Sequence, residues 1–361
     1  MMLTVSLVPN MRKNTRKIKI GAVEVGGGAS IAIQSMNNTK TADVERTLEQ
    51  LRALAAQGCD IGRLAVPDQE AAEALKRIIP ASPLPIVADI HFDYRLALAA
   101  IEGGVNALRI NPGNIGSEAK VVEVIAAAKD RGIPVRIGIN GGSLEKDLLA
   151  KYGRTPEALV ASALGQVAIF QRHGFEDIKI SVKSSSVTET VAAYRLLSQK
   201  VDYPLHIGVT EAGTLLKGSI KSALGIGLLL SEGIGDTIRV SLTGDPINEV
   251  IVAKEILKDL GLRKEGLEII SCPTCGRTKV NLEKMVAEAE KELEGLKLKR
   301  PLTVAVMGCE VNGPGEAREA DYGIACGKGQ GLLFKEGKIL GKFPEANIVK
   351  ELVAEIRRNE Q

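Results

Sequence analysis

The sequence predicts an α/β protein, a (β/α)8 TIM barrel followed by a smaller α+β domain. Two observations carry this prediction. Eight short β-branched runs alternate with helical segments between residues 30 and 240, and a charged stretch interrupts the pattern after residue 262. At 361 residues the chain is also too long for one ordinary domain. We therefore expect a barrel over residues 1–262 and a second domain over residues 267–361.

The barrel prediction rests on eight runs, each followed by a polar or glycine-rich loop and then by a helical period. Their count and spacing match a (β/α)8 barrel, and the absence of a G-x-G-x-x-G motif disfavours an open doubly wound sheet. A hairpin at residues 17–25 is expected at the barrel floor. The predicted strands are 31–34, 61–66, 86–89, 107–110, 135–139, 178–181, 205–209 and 237–240, and the helices between them include 44–57, 71–79, 121–131 and 156–173.

The second domain begins after a charged linker and has a different pattern of predicted elements, with short strands separated by long charged helices. Between its second and third strands, the glycine- and proline-rich sequence predicts a loop. The predicted elements are a strand at 268–270, a helix at 281–296, strands at 303–306 and 322–325, a hairpin that turns at 335–338, and a helix at 346–357.

The composition excludes two broad classes of partner. Lys and Arg exceed Asp and Glu by only three, 47 against 44, and there is no Trp, which argues against a general nucleic-acid surface. No apolar run is long enough to span a bilayer, and residues 1–19 lack the apolar stretch and cleavage site of a signal peptide. We expect a cytoplasmic protein that binds neither nucleic acid nor membrane.

Four of the five cysteines lie in the second domain, at Cys272, Cys275, Cys309 and Cys326. In a cytosolic chain, a C-x-x-C pair with a distant third Cys indicates a metal site before a disulfide. Three thiolates favour an iron–sulfur cluster, whose remaining iron would take Cys326 or a carboxylate. Turn-forming residues at 312–315 could return Glu316 towards Cys309. A closed zinc site that uses all four cysteines remains the alternative.

Charged and polar side chains gather at the carboxyl ends of the predicted strands, where barrels of this class place their active sites. Five of them are cations from five different strands, in a chain of net charge +3. Uncompensated buried cations are costly, so we expect a polyanionic ligand, and several arginines favour a diphosphate. Alternatively, some of the arginines pair with Asp60, Asp89, Glu211 or Asp236. The set comprises Arg63, Asp89, His91, Arg109, Arg136, Asn140, Lys183, Glu211, Arg239 and Ser241.

Together these segments resemble the bacterial 4-hydroxy-3-methylbut-2-enyl-diphosphate synthase family of the methylerythritol phosphate pathway of isoprenoid biosynthesis. The resemblance covers nearly the whole chain, and the two cysteine motifs are its most specific part. Two positions depart from the family pattern: Asn37, where Thr is frequent, and Cys326, where Gly is expected. The matching stretches are residues 34–36, 58–60, 63–67, 88–91, 109–113, 136–140, 181–183, 208–213, 272–277 and 308–316.

The resemblance implies reductive ring opening and dehydration of 2-C-methyl-D-erythritol 2,4-cyclodiphosphate to (E)-4-hydroxy-3-methylbut-2-enyl diphosphate. It also implies that Glu211 lies beside the reacting carbons, as a proton donor or an orienting group. The implied cofactor is a [4Fe–4S] cluster with the ligands Cys272, Cys275, Cys309 and Glu316, the last an exchangeable ligand with a catalytic role. The implied substrate-binding residues are Arg63, Asp89, His91, Arg109, Arg136, Asn140, Lys183, Arg239 and Ser241.

The expected partners are the cyclic diphosphate, an electron donor that is flavodoxin or ferredoxin, and a second copy of the chain. The last barrel helix, near residues 246–260, runs away from the charged mouth, which favours a head-to-tail homodimer whose sites are shared between chains. Two other functions stay open. One is a phosphate- or pterin-binding barrel enzyme with a structural zinc domain, and the other is an electron carrier whose barrel senses a phosphorylated metabolite.

Overall fold

The computed structural model describes residues 12–263, 266–296, 298–309 and 313–360, apart from the side chains at positions 112, 143, 314, 316 and 317. The chain divides into two compact units, Met1–Arg263 and Lys264–Gln361. None of the described helices is both long and apolar enough to cross a lipid bilayer.

The first unit contains a barrel sheet of eight parallel strands, which confirms the predicted fold class. An isolated bridge between Ile180 and Leu205 links the two ends of this sheet. A hairpin of β1 (Ile18–Ile20) and β2 (Val23–Val25) precedes it. The barrel strands are β3 (Ala32–Met36), β4 (Ile61–Ala65), β5 (Ile86–Asp89), β6 (Ala107–Ile110), β7 (Val135–Asn140), β8 (Ile178–Lys183), β9 (His206–Ile207) and β10 (Thr237–Ile238).

The last two barrel strands are shorter than the sequence predicts, because the backbones after them approach each other closely. Gly208 has a φ of 154°, and a Cβ at this position would lie 2.3 Å from the carbonyl oxygen of Arg239. Only glycine tolerates such an approach. The regular ladder therefore ends at Ile207 and Ile238, and the following residues turn into the mouth of the barrel.

Helices cover the outside of the barrel, and several begin directly after a residue that caps them. Asp43 and Asp68 accept hydrogen bonds from backbone N–H groups of the first turn, which satisfies donors that have no partner within the helix. A 3₁₀ turn occupies Gly141–Ser143. The helices are α1 (Val44–Ala56), α2 (Gln69–Ala81), α3 (Tyr94–Glu102), α4 (Pro112–Ile115), α5 (Glu118–Arg131), α6 (Lys146–Tyr152), α7 (Pro156–Arg172), α8 (Val187–Ser198), α9 (Leu215–Ser231) and α10 (Pro246–Asp259).

The β1–β2 hairpin closes the amino-terminal end of the barrel, as the sequence predicts. Its Ile18, Ile20 and Val25 are buried against Ala32, Ile61 and other small or branched side chains at the starts of the barrel strands. This apolar floor excludes water from one end. The predicted substrate-binding side chains lie towards the other end, at the carboxyl termini of the strands.

The second unit is a five-stranded mixed sheet with helices. Its strands follow the order of the chain; the first three are parallel and the last three antiparallel. Residues 313–319 form a helix, so the loop that the sequence predicts there is wrong. Proline is compatible with the first turn of a helix, and its presence here does not require a loop. The elements are β11 (Leu267–Ser271), α11 (Leu282–Leu293), β12 (Leu302–Met307), α12 (Gly313–Glu319), β13 (Tyr322–Gly327), β14 (Gln330–Lys335), β15 (Lys338–Pro344) and α13 (Ile348–Glu360).

Candidate active site

All nine side chains that were predicted to hold the substrate line one cavity of about 230 Å³ at the carboxyl ends of the barrel strands. Alternation along each strand explains this convergence, because residues two apart point to the same face of a sheet. Met36, Ser181 and Thr210 also line the cavity and were not singled out from the sequence. The predicted residues are Arg63, Asp89, His91, Arg109, Arg136, Asn140, Lys183, Arg239 and Ser241.

Asp89, at the end of β5, joins three of these polar side chains. Its Oδ1 accepts a hydrogen bond from Nη1 of Arg109 at 3.1 Å, and its Oδ2 lies 3.8 Å from Nε of Arg63 and 3.4 Å from Nε2 of His91. Burial alone would raise the pKa of Asp89, but Arg63, His91 and Arg109 outweigh burial and hold it well below its ordinary value. Asp89 therefore stays ionised and orients both arginines.

Gly138 makes room for Arg109 in the middle of β7. A Cβ at position 138 would lie 2.5 Å from Nε of Arg109, and the carbonyl oxygen of Gly138 accepts a hydrogen bond from Nη2 of the same guanidinium. Glycine weakens a strand, so its presence inside β7 has a specific reason. It lets the Arg109 side chain cross the neighbouring strand and reach the cavity.

Arg239 pairs with Glu249, a carboxylate that the sequence analysis missed. Nη2 of Arg239 lies 3.1 Å from Oε1 of Glu249, which is 4% exposed although it belongs to helix α10. Ser35 and the backbone N–H of Leu242 donate hydrogen bonds to the same carboxylate. Glu249 is thus held on the inner side of its helix, and it neutralises Arg239.

Only one of the four carboxylates that were considered as partners neutralises cations of the cavity, and it is Asp89. Asp60 pairs with Arg263 at 3.2 Å, and Asp236 pairs with Arg12 at 2.9 Å. The predicted pairing is therefore confirmed for Arg63 and Arg109, whose carboxylate partner is Asp89. Arg239 pairs instead with Glu249, which was not among the predicted partners.

Arg136 and Lys183 remain without a carboxylate at ion-pair distance among the described side chains. Both are buried, and the hydrogen bond of Arg136 goes to a neutral group, the hydroxyl of Ser181, at 3.2 Å. Burial, and then repulsion by neighbouring arginines, lowers the pKa of each well below its ordinary value. Burial also lowers the pKa of Arg63, to about 9. When protonated, Arg136 and Lys183 give the cavity a surplus of positive charge, which is costly while the cavity is empty and which an anion would stabilise.

Glu211 lines a larger cavity of about 470 Å³ that adjoins the first one. The two cavities share His91, Arg109, Asn140 and Thr210 in their walls. Glu211 is exposed and has a φ of 52°, a left-handed conformation that is uncommon outside glycine. Such local strain is a feature of functional sites. Here it occurs at a residue in the loop after β9 that lines the larger cavity.

A layer of polar side chains that the sequence analysis did not assign lies deeper in the barrel. Lys179 and His206 are buried, and Nζ of Lys179 has a contact of 3.4 Å with the hydroxyl of Thr237. Burial, followed by repulsion from Lys183, lowers the pKa of His206 well below its ordinary value. His206 is therefore neutral. Burial, followed by repulsion from Arg136, likewise lowers the pKa of Lys179 well below its ordinary value.

Three of the cysteines lie at one end of the sheet in the second unit. Cys272 and Cys275 follow β11, and Cys309 follows the parallel strand β12. The backbone N–H of Gly308 lies 3.5 Å from Sγ of Cys272. Backbone and side-chain hydrogen bonds from Arg277 lower the pKa of the exposed Cys275. A lowered thiol pKa favours the thiolate, which is the form that binds metals.

Cys326 has a different environment from these three. It is fully buried on β13, in the apolar cluster that includes Ile348 and Leu352 of α13, whereas its neighbour Ala325 packs on the other face with Met307. Burial raises the pKa of Cys326 to about 12. It is therefore a protonated core thiol, and its setting does not suit the four-cysteine zinc site.

The remaining predicted ligand, Glu316, belongs to α12, and its side chain lies outside the described part of the chain. Among the side chains that the structure describes, no group of three His, Cys, Asp or Glu forms a metal site. The three cysteines nevertheless suit an iron–sulfur centre by chemistry, since they are thiols at adjacent strand ends, one of them with a lowered pKa.

The fold and its mouth define a (β/α)8-barrel protein with a cavity lined by cationic side chains, joined to a cysteine-bearing α+β domain. The GcpE TIM-barrel domain matches residues 15–254, and the GcpE protein C-terminal domain matches residues 268–358. The chain belongs to the GcpE family.

Curated relatives match over almost their whole length. A protein of Geobacter sulfurreducens is 60% identical over 349 residues, which cover 96% of this chain and 98% of the relative. One of Clostridium acetobutylicum is 60% identical over 346 residues, which cover 96% and 99%. Both are named 4-hydroxy-3-methylbut-2-en-1-yl diphosphate synthase (flavodoxin). Among solved structures, the dihydropteroate synthase of Yersinia pestis is 9% identical with a TM-score of 0.49, covering 68% of this chain and 97% of its own.

Proposed function

We propose that this protein is a 4-hydroxy-3-methylbut-2-en-1-yl diphosphate synthase, which opens and dehydrates 2-C-methyl-D-erythritol 2,4-cyclodiphosphate in the methylerythritol phosphate pathway. The relatives of that name cover nearly the full chain at up to 60% identity. The structural observation that supports it best is the cavity with five cations and too few carboxylates to neutralise them. A cyclic diphosphate supplies the missing negative charge. The family supports this reading and not the zinc-containing alternative.

In this proposal the diphosphate binds where the positive charge is uncompensated. Arg136 and Lys183 face the diphosphate from β7 and β8. No described carboxylate lies at ion-pair distance from either side chain, so none competes with the diphosphate for these two cations. Arg63 on β4 and Arg109 on β6 line the same cavity, with their orientation fixed by Asp89. Guanidinium groups bind phosphate oxygens with two parallel hydrogen bonds, so the set also fixes the position of the ring.

The carbon skeleton then extends towards the adjoining cavity, where Glu211 lies. The shared walls of the two cavities contain His91 and Asn140, which can bind hydroxyl groups of the substrate. Glu211 is exposed at the edge of the mouth, within the wall of the larger cavity. We assign it the delivery or orientation of a proton at the reacting carbons.

Membership of the GcpE family implies an iron–sulfur cofactor. The proposed form is a [4Fe–4S] cluster, with Cys272, Cys275, Cys309 and Glu316 as its ligands. When bound, it would supply the electrons that acid–base side chains cannot provide. Cys309 is buried and Cys275 is exposed. A cofactor held by both thiols would therefore have one side shielded from solvent and one side open to it.

Replacing Cys309 by Ala should remove iron, whereas replacing Cys326 by Ala should not. Both cysteines are buried, so the two variants remove the same atoms from buried positions and differ in the surroundings of the thiol. The Cys326 thiol has a raised pKa and an apolar environment, which suits packing rather than ligation. Iron, acid-labile sulfide and visible absorption per chain, measured without oxygen, check this. Equal loss of iron in both variants would contradict the proposed ligand set.

Affinity for the cyclic diphosphate should fall as the pH rises. In the empty cavity the pKa of Lys183 is well below its ordinary value of 10.5, mainly because of burial, and a bound diphosphate would raise it again. Between these two values binding takes up a proton, so the affinity is highest at the acidic side of the window and declines through it. Calorimetry in buffers of different ionisation enthalpy measures this proton uptake. Lys183→Met should reduce it, and unchanged uptake would contradict the assignment.

The proposed active form is a head-to-tail homodimer in the cytoplasm, with a flavodoxin as the electron donor. The donor is indicated by the name of the relatives. The dimer is supported by the point at which the chain leaves the barrel. Arg263 is bound to Asp60, which directly precedes β4, so the chain leaves from the floor and not from the mouth. In the proposed dimer, each copy supplies its cysteine-bearing domain to the mouth of the other copy's barrel.

The proposed function is tested by turnover. Protein purified and reconstituted without oxygen should convert the cyclic diphosphate to the allylic diphosphate when a reduced flavodoxin is supplied. Mass spectrometry of the product identifies the reaction. An iron-loaded protein that binds the cyclic diphosphate but leaves it intact with every reductant would refute it.

A further inference from the structure

The loops that carry the three cysteines share one end of the sheet with exposed basic side chains. Strands β11, β12 and β13 are parallel and in register, with Ser271 beside Val306 and Met307 beside Ala325. Their carboxyl ends therefore lie side by side. Three loops meet there: the one with Cys272 and Cys275, the one with Cys309, and the turn that begins at Lys328. We call this the cysteine end of the second unit.

Arg277, Lys279 and Lys328 form a cationic rim at the cysteine end. All three are exposed. The backbone N–H of Lys279 donates to the carbonyl oxygen of Gly308 at 3.0 Å, which fixes Lys279 beside the Cys309 loop. Lys328 lies on the other flank of that loop, and Arg277 forms hydrogen bonds with Cys275. The rim thus borders the proposed ligands on both sides.

No carboxylate neutralises this rim within the described part of the chain. Lys279 and Lys328 form no ion pair there, and the exposed Glu283 at the start of α11 is adjacent to Lys284. Glu345, which is half-buried, is a further acid at this end. The opposite end of the sheet differs, because Arg300 is paired there with both Asp321 and Glu360.

We propose that the cationic rim of Arg277, Lys279 and Lys328 is the docking surface for an acidic electron-carrying protein of the flavodoxin class. This inference rests on the proposed function, in which such a protein delivers the electrons. Two observations support it: the charge is complementary to an acidic carrier, and Cys275 is exposed in the middle of the rim. Electron transfer requires a short path, and docking around an exposed ligand of the cofactor provides it.

Carbodiimide cross-linking of the full-length protein with a bacterial flavodoxin tests the contact directly. The reagent joins lysines to carboxylates that touch, and mass spectrometry identifies the lysines. We expect cross-links at Lys279 and Lys328, and these should decrease at high ionic strength. Cross-links concentrated at Lys291 and Lys338, which are exposed elsewhere on the same unit, would overturn the proposal.

Charge reversal at the rim distinguishes a defect in docking of the electron donor from a defect in the chemical step. The variant Lys279→Glu/Lys328→Glu should lower turnover with reduced flavodoxin at least about tenfold at low salt. With a small-molecule reductant its turnover should equal that of the wild type. Lys291→Glu/Lys338→Glu carries the same change of charge away from the rim and should leave both rates unchanged. Equal flavodoxin-driven rates in the two double variants would overturn the docking surface, whereas failure of the wild type with both reductants would instead refute the proposed function.

Discussion

Mixing Arg136→Met subunits with Cys309→Ala subunits should restore a turnover that neither variant shows alone. In the proposed dimer, the barrel of one chain works with the cysteine-bearing domain of the other. Each heterodimer then has one site with both defects and one with none. We expect purified heterodimers to have about half the activity of the wild type, because one of the two symmetric sites is intact.

The reason for this expectation is the course of the chain at the end of the barrel. Helix α10 begins after β10 at the mouth and ends at Asp259, and the following Arg263 is held at the floor by Asp60. The helix has 14 residues and is therefore about 21 Å long at 1.5 Å per residue. The barrel unit therefore ends, at Arg263, on the floor side of the barrel and about one helix length from the mouth.

Two different affinity tags and sequential purification give heterodimers free of the parents. Each parent provides its own control. Arg136→Met should retain a full complement of iron, and Cys309→Ala should still bind the cyclic diphosphate. Inactive heterodimers made from parents that pass these controls would contradict sites shared between chains and would favour a site within one chain.

The polar cavity was predictable because strand alternation and the barrel topology together determine where its residues lie. Arg109 and Arg136 occupy equivalent positions on neighbouring parallel strands, directly opposite each other in register. A pattern of single cations at the ends of β-branched runs is therefore enough to predict their convergence. It is not enough to predict their partners, since pairing depends on side chains from elsewhere.

Glu249 shows why part of the site escaped prediction. It lies in helix α10 beside the buried Val250, and a glutamate in an amphipathic helix is ordinarily assumed to be exposed. Its burial is explained by Arg239, ten residues earlier, and by the hydroxyl of Ser35 on β3, which is far from Glu249 in sequence only. Lys179 escaped prediction for a related reason. In a closed barrel, residues on the inner face of a strand are as buried as those on the outer face, so a lysine within a strand can be buried.

Replacing Arg136 by Met should make the empty protein more stable while it almost abolishes substrate binding. The Arg136 charge is buried, has no carboxylate at ion-pair distance among the described side chains, and is repelled by Arg63 and Arg109. A side chain of similar length without the charge removes this cost, and we expect the free energy of unfolding to rise by about 1–3 kcal/mol. Loss of a buried charged contact to the diphosphate should weaken binding by roughly 2–5 kcal/mol, which is about 30- to 5,000-fold.

Arg239→Met is the matched control, and it should change stability in the opposite direction. Its removal leaves Glu249 buried without its cation, which costs about 3–5 kcal/mol. Urea unfolding of the two variants and the wild type, each with and without inorganic diphosphate, measures both effects. Diphosphate should stabilise the wild type and have little effect on Arg136→Met. If Arg136→Met were instead less stable than the wild type without ligand, Arg136 would be a structural residue, and the surplus positive charge would not be what prepares the cavity for its anion.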